Sequence, residues 1–277
     1  MNLKELINRA YGDHFAFGGF NVYNLESAKA VVEAINITQK PALLMLSEKS
    51  IEYAGFDEIV GIINSLKKKS KVPAYLHLDH GSNINLIKTA IKSGFDSVMF
   101  DGSKLPLDQN IEISRDLRRL AHRSGVVFEA EIGRIGGQED FVTSSNFKTN
   151  PAEALMFYKE VKPDMLAVAI GNVHGENVKD EELDFTLLAK LQDMVRAPFV
   201  LHGCSNRAAR EYQVAVSQGV VKINIDTELR QAFVEGITQA VRKRIHDPRE
   251  ILSLASNQIS KNTKEKIDIF SCSKLSC

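Results

Sequence analysis

The chain has 277 residues, is 44% hydrophobic and 25% charged, and sets 35 Lys and Arg against 35 Asp and Glu. That neutral balance argues against nucleic acid or an anionic membrane as the main partner, and no apolar run approaches the roughly 20 residues a membrane helix needs. Cys204, Cys272 and Cys277 lack the spacing of a disulfide framework and read as reduced thiols of a cytoplasmic protein.

In chain order, "MNLKELINRAYGDHFAFGGF" reads as an amphipathic helix running into a strand, without the apolar core or cleavage site of a signal peptide. Short β-rich runs then recur at 15–22, 42–47, 74–79, 97–101, 126–132, 165–170, 199–203 and 220–226, each followed by a stretch with helical periodicity. In "PLDQNIEISRDLRRLAHRSG", for instance, Leu107, Ile111, Leu117 and Leu120 share one side and Gly125 marks the stop. After "DPRE" (247–250) comes one further helix. The polar stretch 141–150, after "GGQED", is expected to be a loop and a candidate lid.

Strand followed by helix about eight times predicts a parallel sheet, either a closed (β/α)8 barrel or a doubly wound open sheet. Polar residues decide between them. Asn21, Ser47, Asp79, His80, Asp101, Glu131, Gly171 to His174, His202, Asn224 and Asp226 fall at the carboxyl ends of nearly all the runs. A barrel gathers all eight ends around one mouth, so a single TIM-barrel domain over 1–277 with an extra C-terminal helix is the expectation.

His80, His174 and His202 close three different runs as "DHG", "VHG" and "LHG". Three imidazoles with one open position are the donor set of a catalytic zinc site, whereas a lone strand-end histidine is more often structural. His14, His122 and His246 lack the pattern. Glu129 and Glu131 share one strand face by the two-residue period and point either to a metal or to a salt bridge with an unseen Lys or Arg. "RIGGQED" has the composition of a mobile loop that delivers Glu139 or Asp140 to a substrate. "HGCSN" (202–206) and "NIDTE" (224–228) precede helix starts, the arrangement in which late barrel loops bind phosphate; Ser205, Asn224, Asp226 and Thr227 read equally well as helix caps.

With these residues in place the chain resembles the class II, metal-dependent ketose-bisphosphate aldolases, the fructose- and tagatose-bisphosphate aldolases. The matching motifs are "FNVYN", "HLDHG", "SVMFDGS", "EAEIGRIGGQED", "AVAIGNVHG", "LHGCSN", "VKINIDTELR" and "DPRE", in family order across nearly the whole chain. The resemblance implies reversible, zinc-dependent cleavage of a phosphorylated ketose to dihydroxyacetone phosphate and an aldehyde. Zn2+ would be held by His80, His174 and His202, with Glu131 and Asp101 near alternative positions for a second divalent or a monovalent cation. Asp79 matches the catalytic acid/base and Glu139 the loop carboxylate that exchanges the proton at C3. Among the substrate-binding positions, Gly175, Gly203, Cys204, Ser205 and Asn224, Ile225, Asp226 and Thr227 match the dihydroxyacetone phosphate site, with Asn21 and Ser47 beside them at the mouth. Arg249 matches an arginine that reaches a neighbouring subunit's substrate, so a homodimer or homotetramer is implied.

Cys204 and Asn206 depart from the small or acidic residues usual in the phosphate loop, and Gln138 is neutral where some relatives are acidic. Two other chemistries on the same barrel compete. A Schiff-base aldolase would use Lys222, the lysine within "VVKINID", and a metal-dependent hydrolase would use the histidines alone. A silent sugar-phosphate binder is the third alternative.

Overall fold

The computed structural model describes residues 1–133, 135–139, 142–144, 148–175 and 182–271; the side chains of 136–139, 142–144 and His174 lie outside this description. Eight parallel strands close into a barrel: β1 (Phe17–Asn21), β2 (Ala42–Leu46), β3 (Ala74–Gly81), β4 (Ser97–Phe100), β5 (Val127–Ile132), β8 (Met165–Val168), β10 (Phe199–Leu201) and β11 (Val220–Ile225). Their order, β1-β11-β10-β8-β5-β4-β3-β2, brings the first strand against the last, with Phe17 beside Lys222. The expected TIM barrel is thus formed, each of the eight runs supplying one strand.

Between them run α1 (Leu3–Asp13), α2 (Leu25–Thr38), α3 (Glu48–Ala54), α4 (Phe56–Lys69), α5 (Ile84–Lys92), α6 (Leu107–Arg123), α7 (Pro151–Val161), α8 (Phe185–Val195), α9 (Ala209–Ser217), α10 (Thr227–Arg242) and α11 (Pro248–Phe270). The period of two divides each strand between two cores. On β3, Leu76 and Leu78 pack outward against the helices, whereas Tyr75 joins an inner layer with Phe17, Met45, Met99 and Met165. Leu3, Leu6, Ile7 and Ala10 of α1 pack into this inner layer and stopper the amino end of the barrel. The other end is left to polar chemistry.

Two sequence expectations are corrected here. The segments expected as a mobile glycine loop and a polar lid carry strands β6 (Gly136–Glu139) and β7 (Val142–Ser144), which pair antiparallel. β6 also runs parallel to β9 (Val173–His174), with Gly137 opposite His174. Glycine and polar residues suggest a loop only while their backbone lacks partners, and here ladder hydrogen bonds supply them. The three-stranded sheet β7-β6-β9 thereby ties the backbone of Glu139 to that of His174. Residues 140–141, 145–147 and 272–277, including Asp140, Cys272 and Cys277, lie outside the described residues.

Candidate active site at the barrel mouth

Adjacent residues of a regular strand point to opposite faces, yet Asp79 and His80 both serve the barrel mouth. The ladder between β3 and β4 slips between Leu78 and Gly81, and His80 has φ 46° in the left-handed region. A bulge re-aims side chains in this way, and a non-glycine residue held at positive φ marks a site whose strain the surroundings sustain. The Glu48 carboxylate steadies the turn that follows, accepting the N–H groups of Ser82 (2.6 Å) and Asn83 (2.7 Å).

His202 lies at the end of β10, wholly buried. Its Nε2 is 2.9 Å from Glu129 Oε1, while Glu129 Oε2 receives Lys222 Nζ at 2.8 Å. A carboxylate held by an ammonium is an acceptor, so Nε2 carries the imidazole proton and Nδ1 presents a lone pair. On His80, Nδ1 faces Asp101 Oδ2 at 3.3 Å, and Nε2 points at His202 Nδ1, 2.8 Å away. Donors on both outer edges aim two ring nitrogens at one point. Asn224 Nδ2 also lies 2.9 Å from His202 Nδ1, and a cation bound by both rings would relieve the repulsion of their lone pairs.

Asp79 accepts Asn21 Nδ2 at 3.1 Å on one oxygen and Asn224 Nδ2 at 3.0 Å on the other. The carboxamides come from β1 and β11, which pair with each other across the barrel closure, and fix the carboxylate beside the imidazoles. Asp79, His80 and His202 place donor atoms within 4.8 Å of one another, as do His80, Asp101 and Glu131. Glu131 Oε2 is buried with no hydrogen-bond partner. Burial, reinforced by the neighbouring Asp101, pushes Glu131 well above the usual carboxylate range. Burial also opposes ionisation of Asp101, but hydrogen bonding and charge from His80 outweigh it and hold that carboxyl well below the range. An orphaned buried oxygen beside two convergent imidazoles fits a divalent ion with N and O donors.

The two strand-face glutamates part company. Glu131 joins the polar mouth, but Glu129 is in a salt bridge, and its partner is Lys222. Lys222 Nζ also lies 3.2 Å from His77 Nε2, whose Nδ1 meets Ser97 Oγ at 2.7 Å. Burial first, and then the charge of Lys222, lower His77 well below its ordinary pKa, so it sits as a neutral link. Lys222 is a buried counter-ion beneath the site, which removes the geometric case for a Schiff-base lysine at the mouth.

The second cluster is a recess lined by Val173, Gly175, Gly203, Ser205, Asn224, Asp226 and Thr227. It joins the ends of β9, β10 and β11 to the first turn of α10. All but Val173 are expected from sequence. The side chains of Cys204 and Ile225 do not line the recess: both are fully buried in the outer core, because alternate residues of these segments face away from it, which leaves these two positions their backbone groups to offer. Cys204 therefore does not crowd the pocket, and burial pushes its thiol up to about 12. Asn206 sits at φ 61°, a left-handed conformation that asparagine tolerates. Burial raises Asp226 to about 6 against the opposing charge of Arg230, with which it pairs.

Asn21 and Ser47 are buried at the mouth, Ser47 capping α3 through the Ser50 N–H (3.2 Å). Arg249 is not drawn to the cluster: its side chain is 90% exposed and forks onto Asp247. The side chains of His174 and Glu139 lie outside the described residues. Asn172 is placed by the sequence among the polar residues at a strand end but is given no role there. Wholly buried, it donates to the His202 carbonyl at 2.9 Å and accepts from Ile170 N–H at 2.7 Å, fixing the turn from β8 to β9.

A closed barrel that gathers imidazoles and carboxylates at its carboxyl mouth, beside a small recess lined by glycine and polar residues, has the layout of a metal-assisted barrel enzyme. The class-II fructose-bisphosphate aldolase family model matches residues 1–274, and the chain belongs to that family. It is 35% identical over 279 aligned residues to a fructose-bisphosphate aldolase of Geobacillus stearothermophilus, covering 99% of this chain and 97% of that protein. It is 36% identical over 281 to one of Ureaplasma parvum, covering 98% and 96%. The YdjI aldolase of Escherichia coli K12 superposes with a TM-score of 0.87 at 28% identity, covering 97% of this chain and 96% of that one. The protein is accordingly a class II aldolase, a carbon–carbon lyase of a metal-dependent family that acts on phosphosugars.

Proposed function

We propose that the chain catalyses reversible aldol cleavage of a ketose bisphosphate, fructose 1,6- or tagatose 1,6-bisphosphate, to dihydroxyacetone phosphate and glyceraldehyde 3-phosphate. The observation that carries this reading is the placement of Asp79, fixed by two carboxamides, beside the convergent His80 and His202 and on the same mouth as the recess around Ser205. His80, His174 and His202 hold Zn2+, with Glu131 and Asp101 available to a second divalent or a monovalent cation. The metal supplies Lewis-acid stabilisation of charge developing at the substrate's C2 oxygen.

Asp79 takes the C4 hydroxyl proton as the C3–C4 bond breaks and the C4 oxygen becomes the aldehyde. The bonding pair remains on C3 of the dihydroxyacetone phosphate half. Glu139 returns a proton to that carbon, a role matched to its strand's pairing with the strand of His174. The recess of Gly175, Gly203, Ser205 and Asn224 to Thr227 binds the phosphate of that half, with the amino end of α10 favouring the anion. The exposed Arg249 serves a neighbouring copy's site in a homodimer or homotetramer, and the chain acts as one unit over 1–277 in the cytoplasm. Among the described residues no helix is long and apolar enough to cross a membrane.

A panel of fructose and tagatose 1,6-bisphosphates and ketose 1-phosphates, assayed for release of dihydroxyacetone phosphate, tests the reading. Release from a bisphosphate supports it and assigns the C4 configuration. No release from any of them with zinc bound moves the function to a hydrolase or a silent binder.

A further inference from the structure

We propose that a buried ion pair between Glu228 and Lys266 is the positioning device that holds the phosphate loop in shape, so that the C-terminal helix contributes to substrate affinity. This rests on the assignment of the recess around Ser205 to phosphate.

Residues 203–207 form a turn with two left-handed residues, Gly203 at φ 58° and Asn206 at φ 61°. Its backbone is held at three points, Cys204, Asn206 and Arg207. The Cys204 carbonyl accepts the Tyr212 hydroxyl at 2.6 Å, the Asn206 N–H donates to Glu228 Oε1, and the Arg207 N–H lies 3.3 Å from the Tyr212 oxygen. Neither anchor is free to choose another position. Glu228 is 7% exposed and its Oε2 lies 2.9 Å from Lys266 Nζ, with Asn262 Nδ2 at 3.3 Å. The same Nζ sits 5.2 Å over the Tyr212 ring, and Phe270 packs on that ring's edge at 4.9 Å. Lys266, Asn262 and Phe270 all belong to α11.

The device depends on close approach of α10 and α11. Gly236 makes this possible, since a Cβ there would fall 2.4 Å from Ala255 Cα. None of the bracing side chains lines the recess. They act through the backbone of the turn that carries Gly203 and Ser205, the two residues of this loop that line the recess. Without Lys266, Glu228 would be a buried carboxylate without its counter-ion, and would protonate or turn to solvent, releasing the Asn206 N–H.

The test uses zinc-loaded full-length protein with fructose 1,6-bisphosphate as variable substrate, inorganic phosphate as competing probe, and zinc content measured alongside. Lys266→Met should raise KM and the phosphate inhibition constant about tenfold, the worth of one lost hydrogen bond, with kcat little changed because ground and transition states share the phosphate contact. Zinc content should not move. Glu228→Gln with Lys266→Met keeps an acceptor for Asn206 and removes both charges, and should recover most of the affinity, a coupling that a merely structural role would not give. Ser205→Asp, which sets a carboxylate in the recess, should weaken both constants most. Unchanged constants in Ser205→Asp would overturn the phosphate assignment. Weakened constants there with wild-type values in Lys266→Met would overturn the brace alone. Should Lys266→Met fail to fold, a double variant that folds but binds phosphate as poorly as Glu228→Gln alone would overturn it equally.

Discussion

Glu129 sits between Lys222 and His202, 2.8 Å from the ammonium and 2.9 Å from the imidazole, with all three side chains buried. The ion pair keeps the carboxylate an acceptor, and the acceptor sets the histidine's tautomer. Glu129→Gln is predicted to lower zinc affinity about 10- to 100-fold, the usual effect of losing a ligand's supporting partner. Competition against a chromogenic chelator measures this directly; unchanged affinity would leave the tautomer argument without support.

Removing the other end of that pair tests stability. Lys222→Met strands a buried carboxylate, which typically costs about 3–5 kcal/mol. Urea unfolding should show that loss. Borohydride treatment of wild-type enzyme with substrate should leave Lys222 unmodified, because its ammonium is already engaged by Glu129 and His77.

Asp79 and His202 should separate in their effects. Asp79→Ala is expected to retain zinc and lose roughly 10²- to 10⁴-fold in kcat, the range of a lost general base. His202→Ala should lose the metal itself. Metal analysis paired with turnover distinguishes the two, and normal turnover in either variant would count heavily against these roles.

The recess carries a pH signature. Burial raises Asp226 from 3.8 to about 6, against the pull of Arg230. A raised folded-state pKa means that the group favours the folded state fully below 3.8, and that this contribution is lost as pH rises through 6, a swing on the order of 3 kcal/mol. Carboxyl-carbon NMR should place the midpoint near 6, and Arg230→Gln should move it higher. A midpoint near 4 in the wild type would show that water reaches the group.

Cys204 should be inert in the native state. Its thiol is raised to about 12 by burial in the outer core. Peptide mass spectrometry after alkylation at pH 8 should find Cys204 unmodified in folded protein and modified in urea.

The barrel was legible because the runs carry apolar residues on both faces and nearly all have polar residues at their carboxyl ends, a pattern an isolated surface strand would not show. The recess was legible because "HGCSN" and "NIDTE" are local. Local alternation sorts the side chains within them: those of Cys204 and Ile225 face the core, while their neighbours Ser205 and Asn224 line the recess. The bulge that turns Asp79 and His80 to one mouth leaves no mark in "HLDHG", since any residue types can flank a slipped ladder. Glu129 and Lys222 lie 93 positions apart, and nothing local tells a partner from a ligand. The strands in 136–144 were hidden by glycine and polar residues whose pairing depends on β9.

The most direct test of the central claim is to strip the enzyme with EDTA, return Zn2+ in measured increments, and follow release of dihydroxyacetone phosphate from fructose and tagatose 1,6-bisphosphates. The account predicts activity near zero without metal, rising in proportion to zinc bound. Full activity in the metal-free protein would contradict it.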